Sequence, residues 1–182
     1  MKRLLQIIVM LFSASLSARA QIGAGGFVLG KSMAYFLEAP KGWVMDAAEG
    51  RRYGANAVFH PADKLWPDSK VMIYTISDSK SKTMNGVADK VRNTVKMFKD
   101  EGSPLKVVKK PPIKSVEGRT AQVYYYTGDK RGNVEAGAYY DEKDCVNFFV
   151  LTARDQATFD RSIPLFDSIV RSYRRAKLER HE

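Results

Sequence analysis

The sequence predicts an α+β domain in which helices cover both faces of an antiparallel β-sheet. Three observations lead to this fold class. Several short segments are rich in β-branched and aromatic residues and end at turn residues, as strands do. The links between the first four of them are too short for the crossover helices that parallel strands need. One late segment, 145–153, is apolar on both alternating faces, which is typical of a central strand covered on both sides.

The first twenty residues have the pattern of a cleavable secretory signal peptide. Basic Lys2 and Arg3 precede an apolar run from Leu4 to Leu16, and small residues lead up to Ala20. The run falls short of the ~20 apolar residues that span a bilayer. We therefore expect cleavage near Ala20 and a periplasmic or secreted protein with no transmembrane segment after cleavage.

The rest of the chain is predicted to hold one domain. Residues 21–32 contain four glycines, which raise the entropy cost of ordering, so we expect a flexible lead-in there. A single domain at 33–175 and a charged tail at 176–182 follow. The chain has one cysteine, Cys145, and therefore no intrachain disulfide, so its stability must come from an ordinary core.

Nine segments are predicted as strands. Each combines residues that favour strands with flanking glycine, proline, aspartate or asparagine. They are 33–37, 43–45, 56–60, 71–76, 105–109, 113–116, 120–127, 134–141 and 145–153.

Two segments have the period of an amphipathic helix. The first lies at 83–101, where Thr83 or Asn85 is expected to cap the start and Gly102 to end the helix. The second lies near the C-terminus and contains Pro164. Because a proline costs ~3 kcal/mol in a helix interior, we expect a kink there or two short helices. The apolar stripe of the first helix consists of Val87, Val91, Val95 and Phe98.

The order of these elements points to a family. An early strand is followed by the turn Pro-Lys-Gly-Trp at 40–43, a mid-chain helix, a tyrosine-rich meander and a closing helix that ends at Ser172 and Tyr173. In this combination, residues 33–175 resemble the PsbP-like family. The resemblance implies an α/β/α sandwich and a binder rather than a catalyst, since plant members are basic extrinsic subunits on the lumenal side of photosystem II. It transfers no docking or cofactor-binding residue to this chain.

No residue pattern in the sequence points to catalysis or to a metal site. Cys145 with His60 as its base would be a nucleophilic pair, but Cys145 opens the most apolar strand, which favours a buried core cysteine. Asp141, Glu142 and Asp144 lie between two strands, where a polar hairpin turn is expected. We therefore expect no enzymatic activity, no cofactor and no bound metal.

The charge of the chain favours a binding role. It has 30 Lys and Arg against 20 Asp and Glu, a formal net charge of +10 at pH 7. That charge either keeps an exported protein soluble or forms an electropositive docking face. We favour a non-enzymatic binding or assembly module that engages an envelope protein or an anionic surface, and no nucleic acid.

Four residues are the candidate contacts for that partner. Lys109 and Lys110 belong to a basic cluster, whereas Tyr53 and Trp66 lie in two loops. A loop tryptophan is either an exposed anchor for a partner or a cover that folds back over the sheet edge. The sequence leaves both interpretations of Trp66 open.

The alternative function is a small-ligand carrier, or an enzyme, with a pocket between the sheet and a helix. Such a pocket would require polar side chains that point inward from the meander. Glu135, Gln122 and Asn147 are the candidates. A solid core beneath both helices would exclude this alternative.

Overall fold

The computed structural model describes residues 25–176. The predicted signal peptide and most of the predicted tail lie outside the described residues. The described elements are, in chain order, β1 (Gly25–Leu29), β2 (Ala34–Glu38), β3 (Trp43–Asp46), α1 (Ala47–Arg52), β4 (Ala57–Pro61), a 3-10 turn (Trp66–Asp68), β5 (Val71–Ser79), α2 (Val87–Asp100), β6 (Lys106–Lys114), β7 (Thr120–Thr127), β8 (Val134–Asp141), β9 (Cys145–Ala153), α3 (Gln156–Arg171) and β10 (Arg174–Arg175).

Seven strands form the main sheet, in the order β3-β4-β5-β9-β8-β7-β6. All neighbouring pairs are antiparallel. Every residue of β9 is buried, because the sheet has helices on both of its faces. The predicted fold class, an antiparallel sheet between helices, is confirmed.

A second, three-stranded sheet joins the two ends of the described chain, with β2 between β1 and β10. We predicted a flexible lead-in up to residue 32, but residues 25–29 pair with β2 along their whole length. Gly25 explains the difference, since a Cβ at this position would lie 2.5 Å from the carbonyl oxygen of Leu37. Here glycine permits close approach of the backbone rather than disorder.

The two faces of the main sheet are packed differently. Under α3 the core is closed, and Phe159, Phe166 and Ile169 of that helix are each at most 1% exposed. Under α2 the packing is looser, because Val87 is the buried member of the predicted stripe and the others are half-buried. The difference leaves space between α2 and the sheet.

Strand β6 is continuous, although we predicted two short strands at 105–109 and 113–116. It runs through Pro111 and Pro112, where the register with β7 shifts. Since β6 is the edge strand, a proline without an N–H can lie there at little cost to the sheet.

Both predicted helices form, but α2 begins at a different residue from that expected and α3 is not divided at its proline. Gly86, rather than Thr83 or Asn85, is the N-cap residue of α2, and Gly102 follows its end with φ of +83°. Helix α3 is a single element that contains Pro164. This proline lies on the exposed face, where water can reach the carbonyl group that loses its helical donor.

Candidate functional site

The four predicted contact residues lie at two separate places. Tyr53 follows α1 and packs against Trp66, with 4.8 Å between the ring centroids. Lys109 and Lys110 lie on β6, the far edge of the sheet. Three strands separate β6 from β5, the strand on which Trp66 packs. The four residues therefore do not form one surface.

Trp66 folds back over the sheet, which agrees with the second of its two interpretations. It is 8% exposed and packs on Val58 of β4 and Met72 of β5, whereas Tyr53 above it is 55% exposed. The indole Nε1–H of Trp66 is buried and has no hydrogen-bond partner among residues 25–176. Trp66 thus supplies an unused donor rather than an exposed anchor.

Lys109 and Lys110 point to opposite faces of β6, as successive strand residues do. The Nζ atom of Lys109 lies 6.0 Å from the ring centroid of Tyr124, and that of Lys110 lies 4.8 Å from the ring of Tyr125. Each lysine therefore covers a tyrosine of the neighbouring strand, and the pair forms a basic edge rather than a basic face.

A cavity of about 420 Å³ lies beside Trp66, between α2 and the sheet. Tyr74 and Ile76 of β5 form part of its floor, and Phe98 of α2 lies opposite them. A further chamber of about 210 Å³ extends beneath α2 and shares these walls. The mouth of the cavity is formed by Tyr53 and by the loop that joins β7 to β8.

The cavity exists because the side chains that meet there are too small to fill it. Thr94 of α2 has a short side chain, and β8 contributes Gly137 at this point. The ring of Tyr139 lies over Gly137, since a Cβ there would lie 2.5 Å from the Tyr139 hydroxyl oxygen. That hydroxyl also lies 2.8 Å from the hydroxyl of Tyr126, which holds the ring against the sheet.

Glu135 brings a carboxyl group into both chambers. It accepts a 3.0 Å hydrogen bond from the hydroxyl of Thr152, its cross-strand neighbour on β9. Burial raises the pKa of the Glu135 carboxyl above its ordinary value; the Thr152 hydrogen bond lowers it, and the charge of Asp129 raises it. The same carboxyl group contributes to the raised pKa of Tyr126, which reaches about 12 chiefly through burial.

Of the three inward-pointing residues of the pocket hypothesis, Glu135 alone lines this cavity. Gln122 accepts a 3.1 Å hydrogen bond from the Tyr124 hydroxyl. Asn147 is fully buried and donates a 2.9 Å hydrogen bond to Tyr173, in the core beside α3. The core is closed on the α3 side only, so the condition that would have excluded a pocket is not met.

Cys145 and His60 lie far apart, so they do not form a nucleophilic pair. Cys145 is 1% exposed, as predicted for a core cysteine. It pairs with Ser79 at one end of β5, whereas His60 lies near the other end, beyond the pairing of Phe59 with Ile73. Within residues 25–176, no three His, Cys, Asp or Glu side chains are grouped as a metal site would need, and no helix has the length and apolar character of a membrane span.

The architecture, an antiparallel sheet between helices, is PsbP-like. The chain is similar to cyanobacterial PsbP (CyanoP) from Synechocystis sp. PCC 6803, known from its solution structure, with a TM-score of 0.54 and 15% sequence identity. The similarity covers 87% of this chain and 96% of that chain. No protein-family model and no curated protein sequence matches the chain. The resemblance noted in the sequence is thus confirmed as one of fold.

Proposed function

We propose that the protein is a non-enzymatic binding module that takes a small ligand into the cavity beneath α2. The observation that carries the proposal is the cavity itself. Its volume, about 420 Å³, lies within the range of roughly 300–1,000 Å³ that is common for ligand pockets. Its walls combine aromatic and aliphatic side chains of the sheet and α2 with polar and charged residues, several of them from the β7–β8 loop, that can orient a ligand.

The loose packing of α2 supports this assignment. Phe98 is half-buried and Met97 is exposed, and both line the inner chamber, so the helix leaves apolar surface that a ligand can cover. A ligand that binds the folded state alone stabilises it by mass action. Together with the predicted signal peptide, these features favour a carrier or sensor that works in the periplasm or outside the cell.

Fluorescence of Trp66 gives a direct test. The chain contains two tryptophans, so a Trp43→Phe background leaves Trp66 as the reporter on the cavity wall. We expect the neutral probe 2-phenylethanol to change the emission of Trp66 saturably and to raise Tm. The proposed function would be refuted if neither this probe nor its charged analogues, phenethylamine and phenylacetate, produced either effect.

A pair of helix variants supplies the control. Thr94 lines the inner chamber, whereas Lys96 lies on the outer side of α2, with 72% of its side chain exposed. Thr94→Phe fills the chamber and should weaken binding of the probe, whereas Lys96→Phe introduces the same side chain outside the cavity and should leave binding unchanged. Equal effects of the two variants would place the bound probe elsewhere.

A basic docking edge is a second candidate function. Edge strand β6 has Lys106, Lys109 and Lys114 exposed, next to Val108, which is 53% exposed. Such an edge fits an envelope protein or an anionic surface, and its binding should weaken with salt because exposed charges are screened. Charge reversal at Lys109 and Lys110 in a pull-down from envelope extract tests it without changing the cavity.

A further inference from the structure

Glu135 carries a negative charge into the cavity, and no cation of the described chain is paired with it. Its carboxylate receives a hydrogen bond from Thr152, and the ion pairs found within residues 25–176 do not include it. A buried carboxylate is costly unless a charge of opposite sign or several donors accompany it. Glu135 is therefore the group in the cavity best suited to receive a cation.

Aromatic rings line the same space. Trp66, Tyr74 and Phe98 belong to the cavity wall that contains Glu135, and Tyr53 lies at its mouth. The faces of such rings attract cations electrostatically. The protein already uses this interaction in the inner chamber, where the Nζ atom of Lys90 lies 4.2 Å from the ring centroid of Phe148.

The cations of the neighbouring elements form no ion pair with Glu135. Lys90 of α2 is paired with Asp78 at 2.6 Å. On the β7–β8 loop, Lys130 donates a 2.7 Å hydrogen bond to the carbonyl oxygen of Glu101, and Arg131 is exposed at the mouth. Asp129 of that loop raises the pKa of Glu135, after the larger effect of burial, and Glu101 at the end of α2 also lines the cavity, so both add a negative field.

We propose that the ligand is an organic cation, a primary or quaternary ammonium group on a small aromatic or aliphatic body. The ammonium group pairs with the carboxylate of Glu135, and the body lies against Tyr74 and Trp66. This inference rests on the proposed function, since it names the ligand class of the same cavity.

Three probes with one shared body test the proposal on the full chain. Phenethylamine is cationic at pH 7, 2-phenylethanol is neutral and phenylacetate is anionic. By isothermal titration we expect the amine to bind at least about tenfold more tightly than the alcohol, because pairing with a charge adds to contact with rings. Phenylacetate should bind least.

A matched pair of variants assigns the preference to Glu135. Glu135→Gln should remove the advantage of the amine over the alcohol, whereas Glu38→Gln, which removes the same charge from an exposed pair with Arg174, should retain it. In the unmodified protein, affinity for the amine should fall as Glu135 is protonated at acid pH, while affinity for the alcohol should not. This pH series replaces the variant if Glu135→Gln does not fold.

The outcomes separate the two proposals. If the alcohol binds in the cavity and the amine binds no better, the cation proposal fails and the proposed function stands. If Glu135→Gln keeps the advantage of the amine, the cation proposal fails as well. If none of the three probes binds, the proposed function fails first.

Discussion

The guanidinium group of Arg119 lies 2.7 Å from the carboxylate of Glu142, whose side chain is 2% exposed. The hydroxyl of Tyr173 donates a 2.9 Å hydrogen bond to the same carboxylate, and Arg175 Nε lies 3.6 Å from it. We predicted a polar hairpin turn here, and Glu142 is in that turn but faces inward. Through Tyr173 and Arg175, the carboxylate of Glu142 ties the β8–β9 hairpin to the end of the described chain.

Removal of Arg119 should destabilise the fold much more than removal of a surface arginine. Arg119→Ala leaves a buried carboxylate with a weaker partner, at a cost of about 3 kcal/mol in the free energy of unfolding. The matched variant Arg92→Ala breaks an exposed pair with Asp89 and should cost little, because solvent screens exposed charges. Urea titration measures both losses. Equal losses would show that the Arg119–Glu142 contact stabilises the fold no more than an exposed ion pair does.

The charge of Glu135 should make stability depend on pH in one direction. Because burial raises the folded-state pKa of Glu135, the folded protein holds this proton more tightly than the unfolded chain. This contribution to stability is present below the ordinary glutamate pKa and is lost as pH rises through the raised value. Glu135→Gln should therefore be more stable than the unmodified protein at pH 7 and lose that advantage toward pH 3.5, as measured by urea titration across this range. A difference that does not change with pH would contradict the assignment.

Cys145 should be unreactive in the folded protein. Burial raises the pKa of its thiol, and the side chain is 1% exposed, so both the thiolate fraction and access are low. We expect labelling by a disulfide reagent at pH 7 to be negligible in buffer and rapid in denaturing urea. Fast labelling of the native protein would show that the start of β9 opens readily.

Tyr53 should shield Trp66 from water. Tyr53→Ala removes the ring that packs at 4.8 Å, and we expect a loss of about 1 kcal/mol in stability and a red shift of Trp66 emission in the Trp43→Phe background. Tyr53→Phe keeps the ring and serves as the control. Unchanged emission in Tyr53→Ala would mean that other groups cover the indole.

The last three strands of the main sheet were the most predictable elements. The bounds of β7, β8 and β9 agree with the sequence prediction, since strand-forming residues and turn residues alternate sharply there. Helix α1 was missed because Ala47–Arg52 is short and contains Gly50. Its start is stabilised by a hydrogen bond from the Glu49 N–H to the side chain of Asp46.

The candidate site was predictable only in part. Glu135 could be named as a candidate because it is a polar residue on a clearly predicted strand of the meander. The cavity around it depends on how closely α2 approaches the sheet and on the ring of Tyr139 lying over Gly137. The first is a tertiary relationship that no local pattern encodes. Burial of Trp66 has the same origin, since the residues that cover it come from separate elements.

The small sheet sets an order of events during synthesis. Strand β2 is made early, but its partner β10 comes near the end of the described chain, and the N–H of Glu38 bonds to the hydroxyl oxygen of Ser172, 134 positions later. Contacts at such separation form slowly, because a long loop must close first. In a nascent chain that ends before residue 175, β2 can pair with β1 but not with β10. The domain therefore acquires its final structure only after nearly all of it has been translated.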